Sequence, residues 1–183
     1  TTTAPATTAP PLPEGLPDEV FAAGVASGDP DSTSVILWTR LVADPLDPTG
    51  GLPDAAVPVR WEVATDETST KVVAAGTETA EARWAHSVHA EAGGLEPDTW
   101  YWYRFAVGDA RSDPARTRTM PAEDATPDEF VLAVAACQEF NSGSYAAYAG
   151  LVADEPDLVL FLGDYIYEAG GGRMDPKVPT SET

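Results

Sequence analysis

Between Val20 and Thr119 apolar residues come in short alternating or β-branched runs, separated by clusters of Gly, Pro, Asp and Ser. This period-two pattern with turn punctuation predicts strands over Val20–Ala26, Val35–Leu41, Val57–Ala64, Val72–Ala75, His86–Ala90, Trp100–Val107 and Ala115–Thr119. Short strands at that spacing predict an all-β sandwich. The clearest element is the stretch in which Leu95, Pro97, Thr99, Tyr101, Tyr103 and Phe105 alternate strictly. Their side chains should share one face, and Trp100, Trp102 and Arg104 the other.

After Met120 the pattern changes. Met120–Asp128 is polar with two prolines and reads as a linker, whereas Phe130–Ala136 (FVLAVAA) is continuously apolar, as a strand buried on both faces should be. Cys137–Gly143 reads as a loop. Tyr145, Tyr148, Ala149 and Val152 then recur at i, i+3, i+4, i+7, which predicts an amphipathic helix ended by Pro156. Leu158–Gly163 is a second buried strand. Strand, helix and strand in that order predict a right-handed βαβ unit with two parallel strands. The expected organisation is a flexible tail over 1–19, a β-sandwich over 20–120, a linker over 121–128 and the incomplete start of an α/β domain over 129–183. The LxPxTxYxYxF stretch resembles the fibronectin type III hairpin that carries a tyrosine corner, a likeness that speaks to fold and not to chemistry.

Composition narrows the partners. Hydrophobic residues make up 43% of the 183, enough for a packed core, and 30 acidic against 10 basic residues leave a net charge of -20. Such a field repels nucleic acid and anionic membrane surfaces, so no nucleic-acid-binding surface is expected. No window reaches the roughly 18 apolar residues that a membrane span needs. The opening TTTAPATTAPPLPEGLP buries little surface and resembles the tail left after processing, so export, to the extracellular space or the periplasm, is the expected localisation. The single cysteine, Cys137, precludes an intramolecular disulfide.

Candidate chemistry gathers at Leu158–Glu168, LVLFLGDYIYE, where an apolar strand delivers Gly163, Asp164 and Tyr167 at its carboxyl end, the ligand-binding end of open α/β sheets. In a βαβ unit both strands point one way, so Cys137 after the first and Asp164 after the second meet along one rim. Tyr167 joins them if the chain turns back. Thiolate, carboxylate and phenolate are anionic donors that suit a strongly Lewis-acidic cation. Taken singly, Cys137 reads as a core thiol, Tyr167 as a packing aromatic and Asp164 as a turn residue.

Elsewhere the signals are weaker. His86 and His89, three apart on a strand, face opposite sides and read as surface or interface residues. Trp100 and Trp102 offer a sugar or peptide platform, or more simply a cover over the second domain. Asp154, Glu155 and Asp157 read as a solvated helix end. Gly170, Gly171 and Gly172 lack the Lys-Ser/Thr pair of a phosphate loop and read as a mobile active-site segment.

Three motifs in order, VASGDPDSTSVILWTRL, AACQ and LVLFLGDYIYE, resemble the alkaline phosphatase D (PhoD) family of secreted phosphoesterases. The resemblance implies a fibronectin-like domain followed by the first βαβ unit of an α/β (αββα) metallophosphoesterase domain, and hydrolysis of phosphate monoesters or diesters. It implies that Cys137, Asp164 and Tyr167 bind Fe³⁺, with Asp164 bridging to Ca²⁺ and central to catalysis, and a hydroxide on the metals as nucleophile. Arg173 and Lys177, near the expected rim, are candidate contacts to substrate phosphate. The family's later Asn and His ligands would lie beyond Thr183, so this segment alone is not expected to turn over substrate and needs the remainder of the catalytic domain as partner. Two alternatives stand beside this reading. One is a purple acid phosphatase, which carries an aspartate where this chain has Cys137. The other is a non-catalytic fibronectin-like module that binds carbohydrate or protein.

Overall fold

A computed structural model of the chain describes residues 16, 19–45, 47, 50–138, 145, 147–165 and 167. It divides into two compact units, Thr1–Thr126 and Pro127–Thr183.

The first unit is a β-sandwich. Its strands are β1 (Val25–Gly28), β2 (Ser34–Arg40), β3 (Val57–Ala64), β4 (Val72–Ala80), β5 (Ser87–Gly93), β6 (Trp100–Val107), β7 (Ala110–Arg111) and β8 (Ala115–Arg118). One sheet has the order β1-β2-β5; the other has β4-β3-β6-β7, with β8 also paired to β6. All pairings are antiparallel. Because side chains alternate across a strand, each sheet turns one apolar row inward. Val35, Leu37, Val88, Ala90 and Ala92 from the first sheet share a core with Val57, Val59, Val63, Tyr101, Tyr103 and Phe105 from the second. The alternation predicted for β6 holds: Tyr101, Tyr103 and Phe105 are buried and Trp100 is exposed. The Tyr101 hydroxyl accepts a hydrogen bond from the Glu96 amide at 2.9 Å, which closes a tyrosine corner. Tyr103 is pushed up to about 12 by burial, an effect partly offset by a hydrogen bond with Ser27.

The VASGDPDSTSVILWTRL segment builds the entry into β2. Asp31 Oδ1 accepts from the amides of Thr33 and Ser34, both at 2.6 Å. These bonds, the Thr33 amide foremost, hold the carboxyl below its ordinary value.

Several boundaries move. Phe21 makes only an isolated bridge to Val42, and a turn closed by Gly24 N–H to Phe21 O at 2.8 Å delays β1 to Val25. β4 runs on to Ala80 because it pairs along the whole of β3, with Gly76 opposite Trp61. Its polar second half carries no alternation from which the extension was readable. β7 was not predicted; Gly108, at φ 55°, opens the tight turn that folds it back on β6. His86 is a correction to the surface assignment. It precedes β5 at φ 55°, is 2% exposed, and its Nε2 lies 3.1 Å from Ala55 O, whereas His89 is exposed. On the outer face of β6 and β8 the Arg116 guanidinium lies 4.2 Å from the Trp100 ring centre and 6.0 Å from that of Trp102. Arg118 lies 5.5 Å from the Trp100 ring. The tryptophans are thus engaged by their own chain through cation–π contacts.

In the second unit β9 (Leu132–Ala135), α1 (Ala147–Ala153) and β10 (Leu158–Phe161) follow in order, and β9 pairs with β10 in parallel. Within this chain, where both strands were expected to be buried on both faces, Leu132, Val134, Val159 and Leu160 are 40–58% exposed. The helical stripe also shifts: Val152 is 73% exposed, and Tyr148 and Leu151 are the half-buried positions. Asp157 is no mere solvated helix end. Its Oδ2 accepts from the Val131 amide at 2.7 Å and its own amide donates to Val131 O at 2.8 Å, which pins the start of the parallel pair. Among the described residues no helix is long and apolar enough to cross a membrane.

Candidate functional site

Parallel strands in register bring their carboxyl ends to one rim, and here the register is Leu132 with Leu158 through Ala135 with Phe161. The hydrogen-bond ladder does not stop with the strands. Leu162 N–H donates to Ala135 O at 2.9 Å, Cys137 N–H to Gly163 O at 3.1 Å, and Gln138 N–H to Asp164 O at 3.1 Å. The loops after the two strands are therefore fastened to each other residue by residue. Both leave extended geometry sharply: Cys137 is at φ 58°, Gly163 at 136° and Asp164 at 52°. Only glycine holds the Gly163 conformation readily. For Cys137 and Asp164 the left-handed region costs roughly 1–2 kcal/mol each. Such strain persists where surrounding bonds over-determine it, and it is concentrated at functional sites.

The consequence is a convergence of three acidic side chains. Cys137 Sγ lies 3.4 Å from Asp164 Oδ2, and the Tyr167 hydroxyl donates to the same Oδ2 at 3.1 Å. The free thiol is exposed and Tyr167 is 40% exposed, so the group is open to solvent. Tyr167 is held well above the ordinary phenol range. The hydrogen bond with Cys137 is the main cause, followed by desolvation, the hydrogen bond to Asp164 and the negative charge nearby. Three groups that each become anionic on losing a proton thus crowd one point, and Tyr167 keeps its proton there.

Beside them a cavity of about 860 Å³ is lined by residues including Cys137, Gln138, Tyr145, Tyr148, Phe161 and Tyr167. Tyr148 is shifted upward by desolvation, then by Tyr165 and Tyr145. Gln138, Tyr145 and Tyr148 were not foreseen as site residues. Gln138 carried only its place after Cys137 as a signal, and the two tyrosines read as the apolar stripe of a helix.

The donor set fits a cation. Sulfur and oxygen donors held about 2.0–2.3 Å from one ion stand roughly 3–3.5 Å from one another, and the separations here are 3.4 and 3.1 Å. Among the described residues no three His, Cys, Asp or Glu side chains cluster in this way; the third donor is a phenol. Arg173, Lys177 and the Gly170–Gly172 run lie outside the described residues. The histidines belong to the first unit, one in its interior and one on its surface.

Comparison with known proteins is consistent along the chain. Residues 6–121 match the family described as PhoD-like phosphatase, N-terminal domain, and residues 132–182 match PhoD-like phosphatase. Alkaline phosphatase D of Bacillus subtilis (strain 168) is 53% identical over 163 residues, which are 89% of this chain and 28% of that protein. The solved structure of PhoD superposes with a TM-score of 0.79 at 49% identity, covering 91% of this chain and 30% of that one. The chain thus spans less than a third of the length of these relatives. The chain belongs to the PhoD-like phosphatase family.

Proposed function

We propose that this chain is the amino-terminal portion of an exported, metal-dependent phosphoesterase. A fibronectin type III-like sandwich over 20–120 is joined through 121–128 to the opening βαβ unit of an α/β metallophosphoesterase domain from 129 onward. The observation that carries the reading is the meeting of Cys137 Sγ, Asp164 Oδ2 and Tyr167 Oη within 3.4 and 3.1 Å at the carboxyl ends of two parallel strands. Membership of a phosphatase family and the chemistry of those donors support it.

In this reading Cys137, Asp164 and Tyr167 would hold Fe³⁺, and Asp164 would also serve Ca²⁺. Bound cations supply Lewis acidity and an activated water for attack on the phosphorus of a monoester or diester. The residues themselves prepare the site. Asp164 anchors both neighbours through one oxygen, Oδ2, which accepts a hydrogen bond from the Tyr167 hydroxyl and lies 3.4 Å from Cys137 Sγ. Tyr167 must release that proton for its oxygen to act as a donor atom, a change that a nearby cation favours by reversing the local charge balance. Arg173 and Lys177 are assigned to contacts with substrate phosphate. A location outside the cytoplasm belongs to the same reading, and fractionation of the producing cells checks it.

The test uses the protein at the full length of its relatives. Elemental analysis should find iron and calcium, a visible absorption band should report phenolate-to-iron charge transfer, and p-nitrophenyl phosphate or bis(p-nitrophenyl) phosphate should be hydrolysed. Cys137→Ser should lose iron, colour and activity together. Iron content and colour unchanged in that variant would overturn the ligand set.

A further inference from the structure

Gln138 occupies both ends of its side-chain amide within the second unit, and neither end points at the thiol, carboxylate and phenol beside it. Nε2 donates to the carbonyl of Tyr165 at 2.8 Å, in the loop after β10. Oε1 accepts from the hydroxyl of Tyr148, on α1. Its backbone amide donates to Asp164 O at 3.1 Å, next to the bond from Cys137 N–H to Gly163 O. One residue therefore fastens the loop after β9, the loop after β10 and the intervening helix. An amide suits this task because it donates and accepts at once and carries no charge that would compete for a cation.

We propose that Gln138 is a positioning residue. It holds the Asp164 loop against the Cys137 loop at the spacing from which Cys137 and Asp164 address one ion. Both residues sit in the left-handed region, at φ 58° and 52°, which neither adopts by preference. The ties between the loops over-determine that geometry. Supporting residues behind ligands typically change metal affinity by roughly 10–100-fold when removed. The functional half of the inference rests on the reading that Cys137, Asp164 and Tyr167 hold a cation; the mechanical half does not.

The experiment uses the full-length protein and three variants. Gln138→Met keeps the length of the side chain and removes both hydrogen bonds. Gln138→Glu keeps an acceptor for Tyr148 and removes the donor to Tyr165, and Tyr148→Phe does the reverse. In metal-free protein, hydrogen exchange of the Cys137 and Gln138 amides should be at least about tenfold faster in Gln138→Met than in wild type. In iron titrations the same variant should bind roughly 10–100-fold more weakly and shift its charge-transfer band. In hydrogen exchange Gln138→Glu and Tyr148→Phe should show smaller effects in the same direction; for iron affinity Tyr148→Phe, which adds no charge beside the site, should show the smaller loss and decides the matter if Gln138→Met does not fold. Unchanged exchange and unchanged iron affinity in the variants, with wild type binding iron, would overturn the role of Gln138 alone. A wild type that binds no iron would overturn this role and the metal reading together.

Discussion

Gly76→Ala is a sharp test of how the sandwich is built, because the change is small and the obstruction is specific. Gly76 sits opposite Trp61 in the β3–β4 ladder. A Cβ there would stand 2.6 Å from Trp61 Cζ2, 2.7 Å from Cε2 and 2.9 Å from Nε1. Carbon atoms in contact prefer about 3.5–4.0 Å, so the nearest overlap is roughly 1 Å. The indole cannot easily swing clear, since Trp61 is 7% exposed and belongs to the core. Overpacking of this kind costs about 1–3 kcal/mol. Against it stands the backbone-entropy gain of replacing glycine by alanine, about 0.4–1 kcal/mol where the conformation allows. The steric term should win by about 1–2 kcal/mol, lowering the thermal midpoint by several degrees. Urea and thermal unfolding of wild type, Gly76→Ala, Trp61→Leu and the double variant measure this. In the Trp61→Leu background the alanine should cost nothing, so the coupling should exceed about 1 kcal/mol. Equal losses in both backgrounds, or a Gly76→Ala protein as stable as wild type, would refute the packing argument.

Other consequences follow from single contacts. Tyr103→Phe should change the pH dependence of stability: the folded phenol is pushed up to about 12 from an ordinary 10, so the native state keeps a proton that the unfolded chain loses. Stability is full below pH 10 and is lost by up to about 2–3 kcal/mol as pH rises towards 12. Denaturant midpoints in that window should fall less steeply for the variant. Tyr101→Phe strips the Glu96 amide of its acceptor and should cost about 1–2 kcal/mol in chemical denaturation, with little change in native circular dichroism. Asp157→Ala removes the acceptor of the Val131 amide, so hydrogen exchange across β9 and β10 should accelerate while the sandwich stays protected.

What the sequence alone determined was local: period and turn chemistry. β3 and β6 were readable to the residue because their inward rows, Val57 to Val63 and Tyr101 to Phe105, are apolar without interruption. The order Cys137, Asp164, Tyr167 along a strand-helix-strand pattern was readable too, since the residues past two parallel strands must fall on one rim. Tertiary structure decided the rest. His86 is buried by its left-handed backbone and by Ala55, 31 residues away in sequence, which no local pattern encodes. The polar half of β4 is a strand only because β3 offers it a ladder. The separations of 3.4 and 3.1 Å at the rim come from two strained loops bonded to each other. Hydrophobic period specifies what each segment is, whereas hydrogen bonds between distant segments set which atoms meet, and these depend on register and closure that exist only once the chain has folded.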